Sequence, residues 1–186
     1  MIKITNWEQS KDLIKPIRYQ VFVVEQGIPE AEEWDDDDAM AIHAMAISNQ
    51  EVIGTGRLIM IGNVAKIGRL SILKSRRAEG FGKAILRQLI ETGKEKGVQE
   101  FILHAQVHAI DFYLREGFQA EGDFFDEVDI PHQKMIETLS KFNMSTDVFS
   151  ADEWHISVPH ERLDIMIESD IADEILIDGE GIIYND

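Results

Sequence analysis

The chain has 186 residues, 44% of them hydrophobic and 28% charged, with 18 basic against 35 acidic side chains and a formal net charge of −17. That length accommodates one ordinary domain with a sizeable core, plus an appendage. The complete lack of cysteine excludes disulfides, thiolate metal sites and cysteine nucleophiles. The acidity weighs against nucleic acid and anionic membranes as partners and favours cationic small molecules or basic proteins. The opening "MIKITNWEQS" has no basic stretch followed by an apolar one, and no apolar run approaches the roughly 18 residues of a membrane span, so a cytoplasmic protein is expected.

In chain order, "IKIT" predicts a short strand, and "SKDLIKPIRYQVFVVEQG" a helix whose apolar spacing runs through Leu13, Ile17 and Val21, with Pro16 awkward unless at a kink. "PEAEEWDDDD" is expected to be a solvated acidic loop, because it lacks the spaced oxygens and glycine of a calcium site. "AIHAMAIS" and "VIGTGRLIMI" flank the turn residues "NQE" as a hairpin, and "AKIGRLSIL" is a third strand. The next helix carries an apolar stripe of Ala84, Ile85, Leu86, Leu89 and Ile90, and ends with Lys94, Lys96 and Gly97, cations and then glycine at the negative dipole end. "VQEFILHA" is a buried strand, "AIDFYLRE" a short helix closed by Gly117, and "FQAEGDFF" and "HQKMIETL" a closing strand pair. This order implies an α/β (α+β) fold, a sheet with helices on its faces.

After Leu139 the pattern changes. Residues 139–186 carry twelve acidic and two basic side chains, so this segment accounts for −10 of the −17, against −7 for residues 1–138. "ERLDIMIESDIADEIL" suggests a helix or strand and "EILIDGEGIIYN" a hairpin turning at Asp178-Gly179. The expectation is a domain over 1–138 and an acidic extension over 139–186. Its apolar side chains Leu163, Ile165, Ile167, Ile175, Ile177, Ile182 and Ile183 need a surface to cover, either the edge of their own sheet or a second subunit in a homodimer.

The stretch "LSILKSRRAEGFGKAIL" turns from strand to helix with Lys74, Arg76, Arg77 and Lys83 around Gly80 and Gly82. A P-loop would need glycine at Arg77 and Ser or Thr at Ala84, and a dinucleotide fingerprint a small residue at Ile85, so both motifs fail. What remains, Arg77-x-x-Gly80-x-Gly82 before a helix, suits a pyrophosphate. Glycines admit the backbone closely, the first helical amides are unpaired, and the dipole favours anions. An ordinary strand-to-helix turn with solvated cations remains the alternative for this motif alone.

This turn resembles motif A of the GNAT superfamily of acyl-CoA-dependent N-acetyltransferases, Arg/Gln-x-x-Gly-x-Gly/Ala after the fourth strand. "AIDFYLREGF" is similar to the same family's second landmark, at the right spacing. "RYQVFVVEQG", "IGRLSIL", "LHAQVHAIDFYLREGF" and "DIPHQKM" together resemble its ElaA-like branch, over about residues 18–136. The resemblance implies a mixed, mostly antiparallel sheet flanked by helices, and acetyl-CoA as co-substrate with no metal. It also implies transfer to a small-molecule amine or basic peptide.

Residue by residue, it implies that Leu70 and Ile72 line the pantetheine arm and that the turn of Arg77, with the amides of Ala78, Gly80, Phe81, Gly82 and Lys83, holds the pyrophosphate. It puts Gln106 where relatives carry a pantetheine-touching asparagine. Tyr113 becomes the general acid for the departing thiolate, a phenol of pKa about 10 serving a thiol of about 8.5. Glu25 is the leading base, with His43, His104 and His132 as alternatives. His104 and His108 lack the carboxylate partners of a metal site. Without cysteine, a cysteinyl acyl-enzyme is impossible, so the amine should attack the thioester directly. A non-catalytic acyl-CoA-binding module and an acyltransferase using a longer donor, as in acyl-homoserine lactone synthases, are the rival readings.

Overall fold

In the computed structural model the described residues are 1–139, and the tail helix and the hairpin at Asp178-Gly179 lie outside them. β1 (Ile2–Asn6) leads into α1 (Trp7–Arg18), capped by the Asn6 side chain accepting from the Gln9 amide at 3.0 Å. Pro16 sits inside α1, and the helix continues from Tyr19 to Glu25 as a widened π-helix. Proline removes one helical hydrogen bond, and the chain answers by loosening its next turns. The face that reaches the core is Ile14, Ile17 and Val21, whereas Leu13 is 51% exposed, a correction to the spacing read from sequence.

After the short α2 (Glu30–Glu33) and α3 (Asp37–Met40) come β2 (Ile42–Ser48) and β3 (Glu51–Ile61). Their hairpin turns through Asn49 and Gln50, both in the left-handed region that suits the twist of paired strands. β4 (Val64–Ile72), α4 (Phe81–Glu95), β5 (Glu100–Gln106), α5 (Ile110–Arg115), β6 (Gln119–Glu127) and β7 (Ile130–Thr138) complete the domain. The seven strands run in the order β1-β2-β3-β4-β5-β7-β6, antiparallel except for β4 beside β5.

Alternation along the strands splits the core. Ala44, Ala46, Ile67, Phe101, Leu103 and Ala105 pack with Ile85, Leu86, Leu89 and Ile90 of α4. That helix lies so close to β3 that a Cβ on Gly56 would fall 2.6 Å from Ile85. His43, Met45, Thr55 and Arg57, also buried, belong to the other face.

The acidic segment corrects the sequence reading. Glu30, Glu32, Asp35, Asp36 and Asp37 are exposed as expected, but two carboxylates of the segment are not. Glu33 and Asp38 are each 2% exposed and sit in an ion-pair network. Arg18 donates to Glu33 at 2.5 Å and to Asp38 at 2.6 Å, and Arg57 donates to Asp38 at 2.8 Å and to Asp35 at 2.5 Å. The Arg18 guanidinium also stacks between Trp7 and Trp34, 5.7 and 5.0 Å from their centroids. Three arginines, Arg18, Arg57 and Arg69, find their carboxylate partners in this run, at Glu33, Asp35 and Asp38. Burial raises the Glu33 pKa, with Arg18 and Arg69 pulling against it.

Removing one member of such a network leaves uncompensated buried charge, which costs about 3–5 kcal/mol. Asp38→Ala should therefore destabilise the protein by about that amount in urea unfolding. A loss below about 1 kcal/mol would mean that the network is replaceable by water.

Candidate active site

The parallel ladder between β4 and β5 is short. It pairs Val64 with Glu100 through Ile67 with Leu103 and then stops, although β4 runs on to Ile72 and β5 to Gln106. The outer edges of both strands stay paired, β4 with β3 and β5 with β7. The two strands therefore part like a V while each is held from behind. A bulge starts the parting. Between the pairs Thr55–Ser71 and Arg57–Gly68, Arg69 and Leu70 oppose Gly56 alone, and Arg69 takes φ +51°. A left-handed arginine is strained, and it is tied down. Its guanidinium donates to the Glu33 carbonyl at 3.2 and 3.3 Å and to the Asp35 carboxylate at 3.1 Å.

A cavity of about 190 Å³ opens at the V. Leu70 from β4, Leu103, His104 and Gln106 from β5, Phe22 from the π-helix and Tyr113 from α5 line it. Gln106 donates its amide to the Gln26 side chain at 2.9 Å, which ties the end of β5 to the end of the π-helix. Tyr113 packs edge-on to Phe112 and Phe118, and its hydroxyl bonds to no described residue. Burial pushes that hydroxyl up to about 12, so it stays protonated through the working pH range.

A groove lies beside the next residues of the same elements. Ile72 of β4, Arg77, Ala78 and Gly80 of the turn, Phe81, Gly82 and Lys83 of α4, and Phe112 of α5 line it. The first backbone bond of α4 runs from the Ala84 amide to the Gly80 carbonyl at 3.0 Å, so the amides of Phe81, Gly82 and Lys83 precede the helical ladder. Gly80, at φ +85°, makes the turn, and Ala78 accepts strain at φ +63°. Gly82 is different. A Cβ there would meet nothing nearer than Ile72 at 3.8 Å and Phe112 at 4.0 Å, so folding does not require glycine. The side chain it lacks would stand in the groove, which suits a helix start that receives an anion.

The cations of the turn are largely engaged. Arg77 donates to both oxygens of Glu25 at 2.6 and 2.7 Å, Arg76 to Glu79 at 2.9 Å, and Lys83 pairs with Glu116 at 2.7 Å. Glu116 is nearly buried and also accepts from Arg87 at 2.8 Å. The Arg77 hydrogen bond holds the Glu25 carboxyl below the usual carboxylate range, which makes it a poor proton acceptor for an ammonium group. Glu25 lines a separate depression with Gln20, Leu73, Lys74 and Ser75. The structure thus gathers Leu70, Gln106 and Tyr113 around the cavity, and Ile72, Arg77, Ala78, Gly80, Phe81, Gly82 and Lys83 along the groove. Glu25 stands apart from the cavity.

Sequence reading passed over Glu127, whose carboxylate meets His104 Nδ1 at 2.5 Å at the cavity wall. No spacing rule links positions 23 apart on strands β5 and β6, which do not pair with each other. Among the described residues, no group of three His, Cys, Asp or Glu comes together in a way that could hold a metal ion, and no helix is long and apolar enough to cross a membrane.

Comparison with known proteins agrees with this geometry. Residues 7–118 match the model of the acetyltransferase (GNAT) family. A shorter match, to the tRNA synthetase B5 domain over residues 125–178, begins within β6 and takes in β7, both strands of the sheet described above. The uncharacterized N-acetyltransferase YjcF of Bacillus subtilis is 35% identical over 134 residues, 71% of this chain and 94% of YjcF. Escherichia coli ElaA superposes with a TM-score of 0.66 at 24% identity, over 73% of this chain and 97% of ElaA. The PaiA N-acetyltransferase of Thermoplasma acidophilum, solved in complex with coenzyme A, superposes with a TM-score of 0.57 at 20% identity, over 74% of this chain and 99% of that one. The family match covers more than half of the chain. The chain belongs to the GNAT family of acetyltransferases.

Proposed function

We propose that the chain transfers an acetyl group from acetyl-CoA to an amine by direct attack within a ternary complex. The observation that carries this reading is the parting of β4 from β5 beside the Gly80-x-Gly82 helix start. Unpaired strand edges can receive the amide groups of a pantetheine arm, and the amides of Phe81, Gly82 and Lys83 can receive its pyrophosphate. Tyr113 lines the cavity at the V with Leu70, two residues before Ile72 of that groove. Coenzyme A bound to the PaiA relative supports a coenzyme A-type donor on this fold. The absence of cysteine supports attack on the thioester without a cysteinyl intermediate. The net charge of −17 favours a cationic acceptor, a small amine or a basic peptide.

Tyr113 acts as the acid. Burial raises its pKa to about 12, above a thiol of about 8.5, so full transfer ahead of bond breaking is uphill. Its proton therefore moves to sulfur as the carbon–sulfur bond breaks, while the phenol recovers a proton from the newly acylated nitrogen.

Acetyl-CoA should raise the melting temperature, with about 2.7 kcal/mol of added stability at a hundred times Kd. No shift at millimolar acetyl-CoA removes the reading. Gly82→Asp should lower acetyl-CoA affinity at least about 10-fold by calorimetry, or about 1.4 kcal/mol, while the unliganded protein keeps its stability. Undiminished affinity would put the donor elsewhere. Tyr113→Phe should lower kcat about 10²-fold with acetyl-CoA affinity nearly unchanged. An unaltered kcat would leave Tyr113 a packing residue.

A further inference from the structure

Any amine acceptor of ordinary basicity arrives as an ammonium ion and must lose a proton before it attacks. Four side chains could take that proton, and the structure separates them. Glu25 is held by both nitrogens of the Arg77 fork and lies outside the cavity. His43 is 1% exposed, stacks on Trp7 at 5.3 Å and spends Nε2 on the Asp38 carbonyl at 2.9 Å. His132, 7% exposed, directs Nδ1 to the Ile130 carbonyl at 2.7 Å. His132 also lines the cavity with Tyr113, but its ring hydrogen-bonds to no carboxylate among the described residues, and it is the Glu127 contact that sets His104 apart from all three. His104 lines the same cavity as Tyr113, Nδ1 meets the Glu127 carboxylate at 2.5 Å, and Nε2 bonds to no described residue.

We propose that His104 is the general base of acyl transfer, oriented by Glu127, with Tyr113 as the acid across the same cavity. This rests on the reading of the chain as an amine acyltransferase. A carboxylate on Nδ1 selects the tautomer with its proton there, leaves the Nε2 lone pair free, and stabilises the imidazolium that forms. Phe125 holds the ring edge-on at 4.9 Å between centroids, so the imidazole is fixed by packing as well as by the ion pair. Burial works to raise the Glu127 pKa, but the hydrogen bond to His104, with the nearby charge of Lys66, outweighs it and holds the carboxyl below its usual range.

The protons balance. His104 Nε2 takes one from the ammonium, and the neutral nitrogen attacks the thioester carbon. As the carbon–sulfur bond breaks, sulfur gains the Tyr113 proton and the phenol takes the second proton from nitrogen. The product is one amide and one free thiol, and the proton on His104 leaves to solvent.

Several charges face His104. Lys66 comes from β4, Glu33, Arg57 and Arg69 line the far side of the cavity, and His132 and Lys134 stand on β7, Lys134 directly opposite and itself paired with Glu121. The arginines are committed to the acidic network, which leaves Glu127 as the one carboxylate in contact with the ring among the described residues.

The test is steady-state acetyl transfer from acetyl-CoA as a function of pH, to an alkylamine and to an amine of low basicity that is already neutral at pH 7. For His104→Gln, the alkylamine kcat/KM at pH 7 should fall 10²- to 10³-fold. The defect should shrink towards pH 10, where the amine deprotonates unaided, and should nearly vanish for the low-basicity acceptor. Acetyl-CoA affinity should not change. Glu127→Gln should lose about 10-fold with the alkylamine and almost nothing with the low-basicity acceptor, since the imidazolium loses its counter-charge. An equal loss at every pH and for both acceptors, or no loss in either variant, overturns the assignment while the transferase reading stands. A wild-type protein that binds acetyl-CoA yet acylates neither amine overturns the transferase reading, and the base with it.

Discussion

The site depends on one constraint, that β4 and β5 cannot stay paired past Ile67 and Leu103. Parallel strands side by side normally share a ladder along their common length. Here the bulge at Arg69 and Leu70 turns β4 away, and the full pairing of β5 with β7 keeps β5 from following. The opening therefore needs no lid or moving part. It is held by the same backbone hydrogen bonds that hold the sheet. It exposes strand-edge amides and carbonyls at the place where α4 presents the amides of its first turn.

The strain of that bulge explains the most acidic part of the domain. Arg69 in the left-handed region would relax if released, and the Glu33 carbonyl and Asp35 carboxylate hold it. Glu33 and Asp35 are placed in turn by Arg18 and Arg57, and Arg18 by the rings of Trp7 and Trp34. Buried ion pairs seldom add much stability, because desolvation offsets their attraction, and the raised pKa of Glu33 shows that cost. Their value here is positional. They fix a charged residue at the bend of β4 and form one wall of the cavity with their own side chains.

Much of this was legible in the sequence. Period-two and period-3.6 patterns located the strands and α4, because each buries one face against the other. The glycine turn was legible because left-handed backbone and close approach have a residue signature, at Gly80 and Gly82. What escaped depended on distant partners. "DDDD" looked solvated because nothing local reveals that Arg18, 20 residues before Asp38, and Arg57, 19 residues after it, lie beneath it. Leu13 is exposed because the buried stripe of α1 runs through Ser10, Ile14, Ile17 and Arg18, and the apolar spacing of Leu13 to Ile17 alone does not reveal that polar members complete it. The cations of the turn suggested free charge for phosphate, yet Arg77, Arg76 and Lys83 each have an acidic partner, so the backbone amides are the more available anion donors. The His104–Glu127 contact crosses a whole strand and was invisible in one dimension.

The central claim is that the parted strands and the first turn of α4 form one binding track for an acyl-CoA. Amide chemical-shift mapping during titration with coenzyme A tests it directly, because it reads each backbone group separately. Saturable shifts are expected at one site per chain, largest at Leu70, Ile72, Phe81, Gly82 and Lys83, with Gln106 and Tyr113 among the affected residues. Shifts confined to the cationic side chains of the turn, or centred on another surface while the strand edges stay silent, would contradict it.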